Sequence, residues 1–239
     1  MPKVAVCITN FNYDRYIMDC ILSCLCQSWD DIKVVVVDDC STDRSWEFIK
    51  MMAALDRRVN VYQHTENRGY SAAKNNAIKL AGDCEYIRML DSDDMLTLVG
   101  ISKPLAYLEE TGADFVHGIA YKLDGKNSTA SYAQALRKQH KLAFDRRPKI
   151  HAQGVMYKKE LHEKYGYYPE ELRSRSDKAM WANFKHNGVE MHRIDSKLAF
   201  YRIHNKSMQA YRNAHPDYTK EQTRLMKAYF KREGIPWSF

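Results

Sequence analysis

Three carboxylates fall within four residues at Asp91-Ser92-Asp93-Asp94, directly after the strand-like run Glu-Tyr-Ile-Arg-Met-Leu at 85–90. A second acidic pair, Asp38-Asp39, closes the apolar run at 32–37. Mg²⁺ and Mn²⁺ take hard oxygen ligands and keep positions open for phosphate oxygens and water. Asp91 and Asp93 flank a strand end where the chain turns, so both side chains can converge on one ion. A bare Asp-x-Asp is usually a solvated turn. Acids ending a second strand shift the balance toward a site for a metal and a phosphorylated, hydroxyl-rich ligand. Asp39 can accept an N–H from a base or hold a ribose hydroxyl. It can also cap the next helix, a role open to Ser41 or Thr42. Arg68, within Asn67-Arg68-Gly69, can pair with phosphate, stack on a base, or remain an exposed loop charge.

These residues need elements to position them. Apolar runs predict strands at 3–9, 32–37, 59–63 and 85–90, and helical spacing predicts helices at 14–27, 44–55 and 72–81. Four such alternations in about ninety residues predict an α/β fold, a mostly parallel sheet with right-handed crossovers. Ligands of such sheets bind outside the carboxyl ends of the strands. Those ends carry Thr9, Asp38-Asp39, Arg68 and Asp91–Asp94, so the chemistry gathers on one edge. The second half is less regular. It predicts helices at 96–111, 177–186 and 216–232, strands at 114–121, 150–157 and 198–203, and a turn at 124–127. The expected organisation is one domain over 1–207 (a nucleotide-binding half to 95, an acceptor-binding half after it) with a C-terminal helical extension, 208–239.

The 239 residues suffice for a sizeable core. No apolar stretch is long enough for a membrane-spanning helix, and the first residues enter a strand pattern without the regions of a signal peptide. The six cysteines, all within the first 84 residues, form no paired CxxC elements, so they predict reduced thiols in a cytoplasmic setting rather than structural zinc. The net charge of +7 is spread along the chain and accompanies no nucleic-acid motif. It suits anionic nucleotides or peripheral contact with an anionic membrane.

The motifs Val4-Ala5-Val6-Cys7-Ile8-Thr9-Asn10-Phe11-Asn12, Asp38-Asp39-Cys40-Ser41-Thr42-Asp43, Asn67-Arg68-Gly69-Tyr70-Ser71-Ala72-Ala73-Lys74-Asn75 and Leu90-Asp91-Ser92-Asp93-Asp94 share a pattern. In order and spacing the pattern resembles the family 2 glycosyltransferases of the GT-A fold. Gly154-Val155-Met156-Tyr157-Lys158, Ser176-Asp177 with Met180-Trp181, and Tyr201-Arg202-Ile203-His204 extend the resemblance over roughly residues 3–207. The resemblance implies that Thr9, Phe11 and Asp39 hold base and ribose, with Arg68 beside base or diphosphate. It implies that Asp91 faces ribose and metal, that Asp93 is the direct ligand of Mn²⁺ or Mg²⁺, and that His204 is a further metal or diphosphate contact or else a loop histidine. Asp177 stands where the family carries its base, after a residue that is usually Glu; here it is Ser176. Asp177 can instead be a helix N-terminal charge favoured by the dipole. Asp94 is expected toward sugar or acceptor. Trp181, one turn after Asp177, is expected either to pack in the core or to line the acceptor site.

The implied reaction is metal-dependent, inverting sugar transfer from a nucleotide-diphosphate sugar, UDP-linked, to a glycan, glycoprotein or lipid-linked acceptor. A sugar nucleotidyltransferase would want a Gly-rich basic loop after the first strand, and Thr9-Asn10-Phe11-Asn12-Tyr13-Asp14 holds neither Gly nor Lys. A non-catalytic carbohydrate- or nucleic-acid-binding module would not need the set Asp39, Asp91, Asp93 and Asp177.

Overall fold

The computed structural model describes residues 3–144 and 150–237. In chain order the first half runs β1 (Val4–Asn10), α1 (Asp14–Leu25), β2 (Ile32–Asp38), α2 (Ser45–Leu55), β3 (Val59–Gln63), α3 (Tyr70–Leu80) and β4 (Tyr86–Asp91). The second half continues with β5 (Met95–Leu96), α4 (Ser102–Thr111), β6 (Phe115–Leu123), α5 (Tyr132–Lys138), β7 (Val155–Lys158) and α6 (Glu160–Tyr165). It ends with α7 (Ser176–His186), β8 (His192–Arg202), α8 (Met208–Ala214) and α9 (Pro216–Arg232).

The eight strands form one sheet in the order β3-β2-β1-β4-β7-β6-β8-β5. Strands β3, β2, β1 and β4 are parallel, whereas β7 runs antiparallel to both β4 and β6. β6 and β8 are parallel, and β5 pairs antiparallel with β8. Strands β1, β2 and β4 are covered on both faces, which explains their apolar runs, whereas the edge strand β3 alternates between buried and more exposed residues. Side chains alternate between the faces of a strand. Val4, Val6 and Ile8 thus join Ile17, Ile21 and Ile49 in one core, while Ala5 and Cys7 join Ala73, Ile78, Met180 and Phe184 in the other. α1 and α2 therefore lie on one face, α3 and α7 on the other. The register sets Thr9 opposite both Val37 and Asp91, and Asn10 opposite Asp38, so three strand ends stop at one level.

Several expectations change. The helix expected at 96–111 is β5, a turn and then α4. Gly100 marks the break, where a Cβ would lie 2.6 Å from the Leu198 carbonyl oxygen, and Leu96 pairs with Ala199 instead. α5, α6 and α8 were not anticipated. The strand expected from 150 begins as a 3₁₀ turn, Ala152–Gly154. Within the segment expected to cap α2, Ser41-Thr42-Asp43, it is Asp43 whose Oδ1 accepts the Ser45 N–H at 2.9 Å. The C-terminal extension is packed in place, with Met226, Tyr229 and Phe230 against Leu172, Ala179 and Ala182. All six cysteines are free thiols. No helix is long and apolar enough to cross a membrane among the described residues.

Candidate active site

A cleft of about 1100 Å³ opens at the carboxyl ends of β1, β2 and β4. Thr9, Phe11, Asp39, Asp91, Asp93, Asp94, Asp177 and Trp181 all line it. The strand ends are tied by local polar contacts. Asp38 accepts hydrogen bonds from the Asn10 amide (2.8 Å), the Ser41 hydroxyl (2.6 Å), the Ser41 N–H (2.9 Å) and Gln63 (3.0 Å). Its carboxylate is fully occupied and serves the scaffold. Asn12 adopts φ 59°, and its Oδ1 accepts the Thr42 N–H at 2.8 Å. That locks the loop after β1 to the loop after β2.

Asp39 is buried and accepts the peptide N–H groups of Arg68 and Gly69, each at 2.8 Å, while His64 Nδ1 lies 2.7 Å away. Part of its hydrogen-bonding capacity is therefore spent on the loop that starts α3. The Arg68 side chain does not line the cleft. It is half exposed and lies 3.7 Å from Glu170, a pairing worth little in water. The part of Arg68 that touches the site is its backbone.

Asp91, Asp93 and Asp94 each present a carboxylate oxygen within 4.8 Å of the others. Asp91 Oδ1 accepts the Tyr70 hydroxyl at 2.7 Å, and Oδ2 accepts the Gln153 amide at 2.8 Å. Asp93 Oδ2 lies 3.0 Å from His204 Nε2. Asp94 is 1% exposed; its Oδ1 accepts the Arg202 N–H at 2.7 Å, and its Oδ2 has no partner among the described residues. Burial, reinforced by Asp177 and Asp93, pushes the Asp91 carboxyl up to about 6, against the opposing Lys74 charge. Burial, then Asp93 and Asp91, raises Asp94 well above the usual carboxylate range. Crowded, desolvated carboxylates with one orphaned oxygen are what a hard divalent cation would relieve. The trio fits Mn²⁺ or Mg²⁺, and Asp94, expected toward sugar or acceptor, groups with Asp91 and Asp93.

Two arginines hold this turn. Arg202 donates through Nε to the Asp93 carbonyl (2.7 Å) and through Nη1 to the Ser128 and Ala130 carbonyls (2.9 Å each). Arg88, fully buried, donates to the carbonyls of Gly100 (3.1 Å), Val155 (2.9 Å) and Gln153. Burial pushes its guanidinium down to about 10. Arg88 thereby sets the backbone from which Gln153 reaches Asp91. Gly154 permits the approach, since a Cβ there would lie 2.7 Å from the Gly118 carbonyl oxygen.

Asp177, in the first turn of α7, is paired with the buried Lys74 of α3, and its Oδ2 lies 3.3 Å from the Tyr70 hydroxyl. Lys74 Nζ also sits over the rings of Tyr70 (4.1 Å) and Tyr168 (5.1 Å). The same helix binds the segment before α7. Ser71 Oγ donates to the Leu172 carbonyl, and Asn75 exchanges hydrogen bonds with Tyr168, both at 2.9 Å. Residues 71, 74 and 75 are helix neighbours at i, i+3 and i+4, so one face of α3 stitches the segment before α7, and α7 itself, to the sheet. Their spacing was visible in the sequence, but partners about a hundred residues away were not. Trp181 packs edge-on to Phe115 (6.5 Å between centroids) while still lining the cleft.

The fold and this edge define an open α/β protein with a ligand cleft at the carboxyl ends of its parallel strands. The family model described as glycosyl transferase family 2 matches residues 5–166. The chain belongs to that family. A putative teichuronic acid biosynthesis glycosyltransferase of Bacillus subtilis, TuaG, is 28% identical over 87% of this chain and 81% of its own. An uncharacterized glycosyltransferase of Haemophilus influenzae is 35% identical over 49% of this chain and 47% of its own. The chain thus spans about half the length of some relatives it matches. Among solved structures, S. aureus TarS 1–349 in complex with UDP-GlcNAc superposes with a TM-score of 0.74 at 21% identity, over 95% of this chain and 66% of that one. The mannosyltransferase PcManGT of Pyrobaculum calidifontis, with GDP-Man and Mn²⁺, gives 0.71 at 19% identity, over 97% and 68%. At such identities the likeness is one of fold.

Proposed function

We propose that the protein is a metal-dependent, inverting glycosyltransferase that moves a sugar from a UDP-linked donor to a hydroxyl of a glycan, glycoprotein or lipid-linked acceptor. The observation that carries this reading is the convergence of the Asp91, Asp93 and Asp94 oxygens within 4.8 Å, beside a cleft that also holds Asp177. Family membership and the nucleotide sugars bound by TarS and PcManGT support the donor class. A cation held by the three carboxylates would neutralise charge developing on the diphosphate leaving group.

The chain's own residues do the rest. Thr9, Phe11 and Asp39 receive base and ribose at the ends of β1 and β2. Lys74 fixes one oxygen of Asp177. The other, Oδ2, accepts the proton of the acceptor hydroxyl as its oxygen attacks the anomeric carbon. Attack opposite the leaving diphosphate inverts that centre in a single displacement. His204 orients Asp93 or joins it at the cation. Residues 1–207 form the transferase unit, and 208–239 brace its acceptor side. The free thiols suit a reducing, cytoplasmic setting, with the basic surface able to rest on an anionic membrane.

UDP should raise the melting temperature with Mn²⁺ and do little in EDTA, and Asp93→Ala should remove the Mn²⁺-dependent part. Equal stabilisation by UDP in EDTA would sink the metal assignment.

A further inference from the structure

The cleft has a second chemical character besides its carboxylates. Lys122, Arg173, Arg175, Lys178, Lys206 and Arg212 line it, and none is in an ion pair with an acid among the described residues. Several bases elsewhere are partnered, Lys3 with Glu109, Arg58 with Asp56, Lys158 with Asp114 and Arg232 with Glu171; the six here share one concave surface without such partners. Three of the six come from the loop and first turn of α7, beside Asp177. One precedes α8, one lies on α8 and one lies near the end of β6. Of the acids that line the cleft, Asp39, Asp91, Asp93 and Asp94 end or follow β2 and β4, and Asp177 already holds a lysine.

Further observations make this a built feature. Arg175 adopts φ 61°, a left-handed conformation that non-glycine residues seldom take. Its Nη1 is held by Thr223 Oγ1 at 3.1 Å. Arg212 is half-buried and feels the Arg175 charge, which together with the stronger effect of burial lowers its guanidinium below the usual value. Both arginines line the cleft with no acid paired to either among the described residues, an arrangement that an anion would relieve. Ser174, 1% exposed, lines the same wall with a hydroxyl that has no partner among the described residues. Tyr201, Tyr211 and Tyr218 stand among these cations on the cleft lining, offering flat faces for sugar rings.

We infer that this wall recognises an anionic acceptor, a glycan whose carboxylate or phosphate groups are gripped by Arg175, Arg212 and their neighbours while a nearby hydroxyl reaches Asp177. The inference rests on the transferase reading above and adds the acceptor's charge to it. The competing use of the same cations is to hold the donor diphosphate, and the two uses separate in binding experiments.

The experiment measures binding to protein preloaded with UDP and Mn²⁺, using three probes of matched length: an oligouronate, an oligo(glycerol phosphate) and a neutral oligoglucoside. An anionic probe should bind at least tenfold tighter than the neutral one, with affinity falling as salt rises. Which anionic probe is preferred distinguishes carboxylate from phosphate. Arg175→Gln and Arg212→Gln should each weaken the anionic probe about tenfold while leaving the UDP–Mn²⁺ Kd within twofold. Equal affinity for charged and neutral probes would overturn the inference, as would no binding of any probe. Loss of UDP affinity in the arginine variants would assign these side chains to the donor. Tighter binding of a single-stranded oligonucleotide than of either glycan would point to nucleic acid and overturn it too. Failure of UDP itself to bind the wild-type protein with Mn²⁺ would instead remove the transferase reading.

Discussion

The two walls of the cleft are assembled in opposite ways. On the wall proposed for the donor, β1, β2 and β4 run parallel in register; their ends bring Thr9 and Asp91 level and leave Asp39 one residue past the last pair, Asn10–Asp38. On the wall proposed for the acceptor nothing of that kind operates. Asp177 and its arginine neighbours sit on a loop and helix held by Ser71, Lys74 and Asn75 of α3, and by Gln222 of α9, whose Oε1 accepts the Arg173 and Ser174 N–H groups at 2.9 and 3.1 Å. The donor wall is thus a property of the sheet, whereas the acceptor wall is a property of side-chain stitching. Substitutions on one should leave the other largely working.

The largest expected effect is that of Asp177→Asn. Turnover should fall 10²–10⁴-fold, the usual span for a positioned proton acceptor, while UDP–Mn²⁺ affinity stays within twofold. Steady-state kinetics alongside calorimetry checks this, and near-normal turnover would move the base elsewhere. Lys74→Met comes next. Removing one partner of a buried ion pair costs about 3 kcal/mol, which thermal or denaturant unfolding reads directly. Adding Asp177→Asn to it should recover part of that stability, and no recovery would mean that Lys74 acts through Tyr168 and Tyr70 instead. The smallest effect belongs to Tyr70→Phe. This hydroxyl contacts carboxylates of both walls, so its loss should cost about 1 kcal/mol and appear as comparable small losses in donor affinity and turnover. A loss confined to one parameter would show that the walls are less coupled than this contact implies.

Legibility followed the same division. Of the four parallel strands, β1, β2 and β4 are readable because burial on both faces leaves apolar runs such as Ile32–Asp38, and the acids closing β2 and β4 are conspicuous; β3 is readable from its alternation. β5 spans only two residues, and α5, α6 and α8 have seven, six and seven, too few for a periodic pattern to stand out. Gln153 was missed because neither its type nor its spacing advertises a role, and only the Arg88 clamp turns it toward Asp91. Arg68 was read as a side chain, but it is the loop's N–H groups that meet Asp39. Asp38 and Asp39 read alike in the sequence, yet one braces the scaffold and the other lines the cleft.

By itself, the sequence determined the strand-and-helix alternation, the level at which the strands end and the acids placed there. Hydrophobic periodicity and strand termination act over a few residues, so that information is local. Tertiary structure alone decided the partners: Tyr70 and Gln153 for Asp91, His204 for Asp93, Lys74 for Asp177. Those contacts join residues 21, 62, 111 and 103 positions apart. Only the packed sheet with α3 and α7 on one face brings them within hydrogen-bonding distance.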